Sequence, residues 1–229
     1  MYPNEYLNLL VIEGLVLKPD LVIISFFVGN DFANGADSWL RNKLYEYSFL
    51  TSFIHYLVQV QPHFEGRDAY ETFDGEYCDN TPTFSEEAFL EIERGRSYIC
   101  RAENRRLISE LDTTISVLKE IQSICYRRSI DIFVLIIPDE MQVNRNLQNM
   151  IIAGSSEETK WDWSQPTRKL AERLEGLDIK YLDLYASFEN TSRLNNLYRP
   201  RDTHWNIAGN ELAAKLIYQE LIEAQVFLN

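Results

Sequence analysis

Three segments rich in apolar residues predict the strands of a buried sheet. They cover residues 21–28, 130–137 and 179–184. The first is a nearly continuous apolar run, which is typical of a parallel strand that is covered on both faces. Apolar residues at helical spacing predict amphipathic helices between and around these strands, over residues 4–17, 85–98, 103–127, 165–174 and 207–223, with a stop of the first helix near Gly14. The alternating order predicts an α/β fold with a parallel sheet.

The pattern is least regular over residues 33–85, where Asn34-Gly35 and Asp74-Gly75 mark turns. A long irregular excursion after a strand is typical of a functional insertion or lid. The 229 residues, 45% of them apolar, suit one domain with one substantial core. We therefore expect a single domain over residues 1–229, with residues 33–85 as its insertion. Asn206 is predicted to cap the last helix.

The formal charge of −13 argues against nucleic acid or an anionic membrane as a partner, because like charges repel. The longest apolar run, residues 21–28, is far shorter than the roughly 20 residues of a membrane span. Residues 1–15 lack the pattern of a secretory signal. The compartment is left open, since a signal upstream of Met1 would not be seen.

Cysteine and histidine usage gives little support for a metal site. The chain contains Cys78, Cys100 and Cys125, with no C-x-x-C spacing, and a Cys78–Cys100 bridge is left open. Cys125 is expected to be a small core residue on an amphipathic helix. The three histidines are scattered along the chain, so no zinc site is predicted.

Candidate chemistry lies in the segment Asp202-Thr203-His204-Trp205, just before the last predicted helix. On an extended segment, residues two apart point to the same side. This spacing suits a pair in which Asp202 orients His204 as a general base. Taken alone, Asp202 would be an ordinary charge at a helix start, and His204 would be a packed histidine.

Gly29-Asn30-Asp31 ends the first predicted strand. Alone, this tripeptide is typical of a strand-ending turn, but the Asn30 side chain also offers an amide donor for an oxyanion. No G-x-S-x-G pattern supplies a nucleophile. Ser25 is expected to be packed within its strand, and Ser155 lies in a loop without local activation, so neither is predicted to serve.

Three segments in order resemble the SGNH (GDSL-type) hydrolase family. They are Val28-Gly29-Asn30-Asp31, Ile137-Pro138-Asp139-Glu140-Met141-Gln142-Val143 and Asp202-Thr203-His204-Trp205-Asn206. The resemblance implies a three-layer α/β/α, flavodoxin-like fold, of which about three strands remain here. It implies that the site lies at the carboxyl ends of the strands.

Carried over by motif position, the resemblance makes Asn30 an oxyanion donor, His204 the base and Asp202 its orienting partner. Gly29, Asp31 and Trp205 would be neighbours of the oxyanion or substrate. The Gly-Asp-Ser segment that carries the family's serine has no match, so we expect the domain to be incomplete at its N-terminus and this chain to be inactive alone.

The implied function is hydrolysis of an O-acyl ester, with a carbohydrate acetyl ester as the preferred substrate class. The Asp-x-His spacing resembles branches that include polysaccharide O-acetyltransferases and acetyl esterases, so transfer to a sugar hydroxyl is one alternative. A non-catalytic module that binds glycans or a partner is another. No metal or organic cofactor is expected. Self-association is expected through the open edge of the strand at residues 21–28.

Overall fold

The structure is a computed structural model that describes residues 3–32, 80–156 and 158–223. The insertion predicted over residues 33–85 lies outside the described residues, except for its last six positions. These last positions of the predicted insertion lead into a helix. Ser85 caps that helix by accepting a hydrogen bond from the Ala88 amide at 3.2 Å.

The described elements alternate between helices and strands. In chain order they are α1 (Pro3–Ile12), β1 (Leu21–Phe27), α2 (Glu86–Arg96), α3 (Arg105–Tyr126), β2 (Asp131–Ile137), α4 (Glu140–Val143), α5 (Arg145–Ala153), α6 (Gln165–Glu175), β3 (Lys180–Asp183), α7 (Tyr185–Ser192) and α8 (Ile207–Tyr218). Short 3-10 helices follow α1 at Gly14–Leu17 and α2 at Ser97–Cys100, and a π-helical turn, Gln219–Glu223, continues α8.

The three strands form a parallel sheet in the order β1-β2-β3, which confirms the predicted α/β fold. Phe27 is opposite Ile137, and Ile136 is opposite Asp183. All three strands therefore end at the same edge of the sheet. Ligands of open parallel sheets bind outside this edge, so the loops that leave it are the first place to look for a site.

Helices cover both faces of the sheet and give it three layers. On one face, Ile24, Phe26 and Val134 belong to a large apolar core together with Leu118 of α3. On the other face, a smaller core surrounds Leu135 and includes side chains of α7 and α8. Apolar residues pack on both sides of β2, which explains why the sequence of this strand lacks alternation.

Three helices were not predicted from the sequence. They are α4, α5 and α7, which contain four, nine and eight residues. The first helix was predicted to stop near Gly14, and α1 ends at Ile12, with a separate 3-10 helix over Gly14–Leu17. The capping residue predicted for α8 is confirmed, because the Asn206 side chain accepts a hydrogen bond from the Gly209 amide at 2.9 Å.

Strand β1 lies at the edge of the sheet formed by the described residues. Ile23 is 44% exposed there, and Ser25 is exposed rather than packed as expected. An open apolar edge favours pairing with another chain. Self-association stays a prediction, and sedimentation at increasing concentration would test it.

The cysteines that the structure describes are buried. Cys125 is fully buried in the main core, as predicted, and Cys100 is a buried free thiol. Cys78, the other half of the bridge considered above, lies outside the described residues. None of the helices that the structure describes has the length and apolar character to cross a membrane.

Candidate active site

Asp202 and His204 form a hydrogen-bonded pair in the loop that precedes α8. Oδ1 of Asp202 lies 2.6 Å from Nδ1 of the His204 ring and accepts a second hydrogen bond from the His204 backbone amide at 2.9 Å. Asp202 is only 2% exposed, whereas the His204 side chain is 80% exposed. A carboxylate at Nδ1 selects the tautomer whose Nε2 carries a lone pair. The exposed ring can therefore accept a proton at Nε2.

The second oxygen of Asp202 has donors of its own. The Thr83 hydroxyl donates to Oδ2, and a guanidinium nitrogen of Arg199 lies 3.3 Å from the same oxygen. Burial acts to raise the pKa of Asp202, but the hydrogen bonds from Thr83 and His204 outweigh it, and the pKa is lower than usual. Asp202 is therefore held as an anion beside the imidazole.

The loop that carries the pair is folded back on itself. Tyr198 and Trp205 form an antiparallel bridge, and the Arg199 amide donates to the His204 carbonyl at 3.1 Å. Arg201, at the turn, has a left-handed φ of 48°. Such a conformation is costly for a residue with a side chain and persists where surrounding contacts enforce it. The backbone of the loop thus fixes the position from which the Asp202 side chain extends.

Two aromatic contacts place this loop against the carboxyl edge of the sheet. The Tyr198 hydroxyl donates to the Pro138 carbonyl at 2.8 Å, immediately after β2. The Trp205 ring packs on Phe188 of α7 with ring centroids 5.0 Å apart. Trp205, expected to neighbour the substrate, thus has a packing role on the same loop as His204.

Asn30 and Gly29 lie at the end of β1, on the same edge. The Asn30 side chain is exposed, and its backbone amide donates to the Phe27 carbonyl at 3.2 Å. A side chain at position 29 would collide with Asp139, because an ideal Cβ would lie 1.9 Å from Asp139 Oδ2. Glycine is therefore required at position 29 for the close approach of the loop after β2.

Asp31 has a structural role in this arrangement. Its buried carboxylate accepts hydrogen bonds from the Phe27 backbone amide, at 2.8 Å, and from the Tyr6 hydroxyl of α1. Burial raises the pKa of Asp31 more than these hydrogen bonds lower it. Asp31 thereby ties α1 to the turn that presents Asn30.

A second acidic group lies at the same edge and was not predicted from the sequence. Glu93 of α2 and Asp139 are buried, at 0% and 1% exposed, and a guanidinium nitrogen of Arg96 lies 3.7 Å and 3.8 Å from their oxygens. Burial, followed by the charge of Asp139, raises the pKa of Glu93 well above its usual value. Burial also raises the pKa of Asp139, despite the nearby Arg96.

The described residues provide an imidazole, a carboxylate that contacts it and an exposed amide. They provide no serine hydroxyl that hydrogen-bonds to the imidazole. Within these residues no serine hydroxyl hydrogen-bonds the His204 ring, and the Ser155 hydroxyl donates to the Ile151 carbonyl at 2.9 Å. Ser25 lies within β1 and not on a turn. The arrangement can move a proton, and no serine among the described residues contacts it.

The described part of the chain holds no group of three or more histidine, cysteine, aspartate or glutamate side chains suited to a metal ion. No protein-family model matches this chain, and no curated protein or solved structure matches it significantly.

Proposed function

We propose that this chain provides the acid–base part of an SGNH-type serine ester hydrolase acting on an O-acyl ester, with a carbohydrate acetyl ester as the preferred substrate class. The observation that supports the proposal is the 2.6 Å contact between Asp202 and the exposed His204. Donors on both oxygens hold this carboxylate as an anion, which is what a partner of a catalytic imidazole requires.

In the proposed reaction, a serine hydroxyl from outside the described residues attacks the acyl carbonyl carbon. Nε2 of His204 takes the hydroxyl proton, and Asp202 stabilises the imidazolium. The Asn30 amide donates to the oxyanion that forms. His204 then gives its proton to the departing alcohol oxygen as the carbon–oxygen bond breaks, and a water molecule, deprotonated by the same ring, releases the acyl group from the serine.

The 229-residue chain by itself is expected to hydrolyse an aryl acetate no faster than its His204→Ala variant. Saturable hydrolysis that depends on Ser25 or Ser155 would contradict this expectation. The positive test uses the protein as it occurs in its natural source, assayed on an aryl acetate and on an acetylated polysaccharide.

In that protein, His204→Ala should lower kcat/KM by about a thousandfold or more and Asn30→Ala by about a hundredfold or more. Asn195→Ala, at an exposed position, is the matched control for Asn30→Ala and should retain activity. Full activity of the His204 variant would show that the base is assigned wrongly. Release of free acetate distinguishes hydrolysis from transfer, in which the acetyl group appears on an added sugar.

A non-catalytic binding module is the second candidate. It is favoured by the lack, among the described residues, of a serine on the His204 ring. If the whole natural protein binds an acetylated glycan without releasing acetate, and the His204→Ala variant binds equally well, this candidate replaces the first.

A further inference from the structure

We infer that Thr83 is a positioning residue for the Asp202–His204 pair, acting through Asp202. The two oxygens of this carboxylate have different partners, since Oδ1 contacts the His204 ring and Oδ2 accepts the Thr83 hydroxyl. Thr83 is 119 residues away from Asp202 in the sequence. The inference concerns the geometry of the pair, and only its consequence for catalysis rests on the proposed function.

The backbone around Thr83 is built to hold that hydroxyl in place. The Thr83 amide donates to the Pro200 carbonyl at 3.3 Å, and the Phe84 amide donates to the Arg201 carbonyl at 3.2 Å. Helix α2 begins directly afterwards, with Ser85 as its cap. Thr83 is therefore fixed on one side by two backbone hydrogen bonds to the turn before Asp202, and on the other by a helix start.

The hydroxyl is needed because Asp202 has a competing neighbour. Arg199 lies 3.3 Å from Oδ2, and the terminal torsion of an aspartate is soft. Without the Thr83 hydroxyl, Oδ2 keeps this longer contact with the guanidinium, and a turn of the carboxylate that shortens it moves Oδ1 away from Nδ1 and from the His204 amide. With the hydroxyl present, only one orientation satisfies Thr83 and His204 together. Thr83 thereby selects the orientation in which the imidazole carries its proton on Nδ1.

In the proposed reaction, loss of the Thr83 hydroxyl should lower kcat with little change in KM, because Thr83 lies behind Asp202 and does not contact the base. The direct test does not use activity. Nitrogen-15 labelled histidine gives signals from only three rings, and His204→Gln identifies those of His204.

The wild-type protein should show a strongly downfield Nδ1 proton and an unprotonated Nε2 for His204. Thr83→Val keeps the shape of the side chain and replaces the hydroxyl with a methyl group. Thr83→Ala removes the hydroxyl without adding that methyl group. Both should lose the downfield proton and shift His204 toward the other tautomer. Thr83→Ser should retain the wild-type signals.

Thr113→Val is the matched control, because the Thr113 hydroxyl donates to the Ser109 carbonyl at 3.1 Å on the exposed side of α3. It should leave the His204 signals unchanged. Wild-type signals in Thr83→Val or Thr83→Ala, or equal loss in Thr83→Ser, would overturn the inference while leaving the proposed function intact. The expected signals in a natural protein without esterase activity would overturn the proposed function and leave the inference intact.

Discussion

Two buried aspartates at the carboxyl edge of the sheet have opposite proton affinities. Asp202 and Asp139 are almost equally buried, at 2% and 1% exposed. The pKa of Asp202 is lower than usual, with burial opposed by the hydrogen bonds from Thr83 and His204. The pKa of Asp139 is raised by burial, and the positive charge of Arg96 does not reverse this.

The two carboxylates differ in their donors and also in how strongly burial acts on them, since Asp139 is the more deeply enclosed of the two. Asp202 receives hydrogen bonds on both oxygens, including those from Thr83 and the His204 backbone. Asp139 receives one from the Met141 amide at 3.1 Å, and its other oxygen faces Gly29. Burial disfavours a charged carboxylate, and donors on it favour the charge. The same residue type thus serves as a fixed anion in one place and belongs to a proton-retaining pair in the other.

The largest expected effect comes from forcing a methyl group against Asp139. In Gly29→Ala the new Cβ would lie 1.9 Å from Oδ2 of Asp139 and 2.7 Å from the Phe27 ring. Overpacking of this kind costs about 1–3 kcal/mol, and urea unfolding at pH 7 measures it. The His204 signals should persist if the two carboxylates are independent.

Gly95→Ala is the matched control for this substitution. Gly95 lies in α2, and its Cβ would meet nothing within 4 Å. Replacing an unhindered helical glycine should increase the free energy of unfolding by about 0.5–1 kcal/mol. A loss below about 0.5 kcal/mol in Gly29→Ala would place it among ordinary surface substitutions and contradict the close approach.

The second prediction concerns the proton held by Glu93 and Asp139. Because burial raises both pKa values in the folded protein, the folded state binds more protons than the unfolded state. Stability should therefore fall as pH rises above about 4.5, by up to about 1.4 kcal/mol per pH unit for one proton. Glu93→Gln mimics the protonated acid and should remove this loss.

The comparison of Glu93→Gln with the wild-type protein isolates the contribution of the Glu93–Asp139 pair. Burial raises the pKa of Glu140 to about 7, so that group contributes to the slope around neutral pH in both proteins. The raised pKa of the buried Cys100 thiol contributes only at more alkaline pH. Glu91→Gln, at an exposed position of α2, is the control and should retain the wild-type slope. Parallel slopes in all three proteins would mean that the pair holds no proton.

The third prediction has the opposite sign and concerns Asp202. Since hydrogen bonds lower its folded pKa against burial, its contribution to stability is present above about pH 4 and is lost as pH falls through the lowered value. Asp202→Asn should therefore cost about 1 kcal/mol at pH 6 and progressively less toward pH 3. Asp20→Asn, at an exposed position, is the control and should show no such convergence.

Local sequence was sufficient for the strands and for the Asp202–His204 pair. The strands were predicted to within one residue at each end, because their apolar segments are bounded by turn signals, such as Pro138 after β2. The pair is two residues apart on one loop, so its contact follows from backbone geometry. Helix α4 was missed because four residues carry too little periodicity, although its capping pair, Asp139 and Gln142, is visible in the sequence.

Long-range contacts could not be predicted in this way. Thr83 contacts Asp202, which is 119 residues away in the sequence. Glu93 of α2 lies beside Asp139, which is in the loop after β2. Neither partner has a local pattern that separates it from an ordinary polar residue. Asp31 illustrates the converse, because its motif position suggested the site and its carboxylate instead binds Tyr6 and the end of β1.

The smallest expected effect concerns the turn before Asp202. Arg201 has a φ of 48°, and a left-handed conformation costs a residue with a side chain about 1–2 kcal/mol. Glycine avoids that cost but loses about 0.5–1 kcal/mol of chain entropy on folding. Arg201→Gly should therefore raise the free energy of unfolding by less than about 1 kcal/mol, measured by urea unfolding at pH 7.

Lys18→Gly is the matched control, because Lys18 has a similar φ of 51° after the 3-10 helix that follows α1. Both variants should gain similar stability. If the constrained turn is needed to hold Asp202 as an anion, Arg201→Gly, but not Lys18→Gly, should lose less stability than the wild-type protein as pH falls, because a looser turn lets the carboxylate move away from Thr83 and His204. If Arg201→Gly loses as much stability on acidification as the wild-type protein, the hydrogen bonds from Thr83 and His204 keep the pKa of Asp202 low without help from the turn.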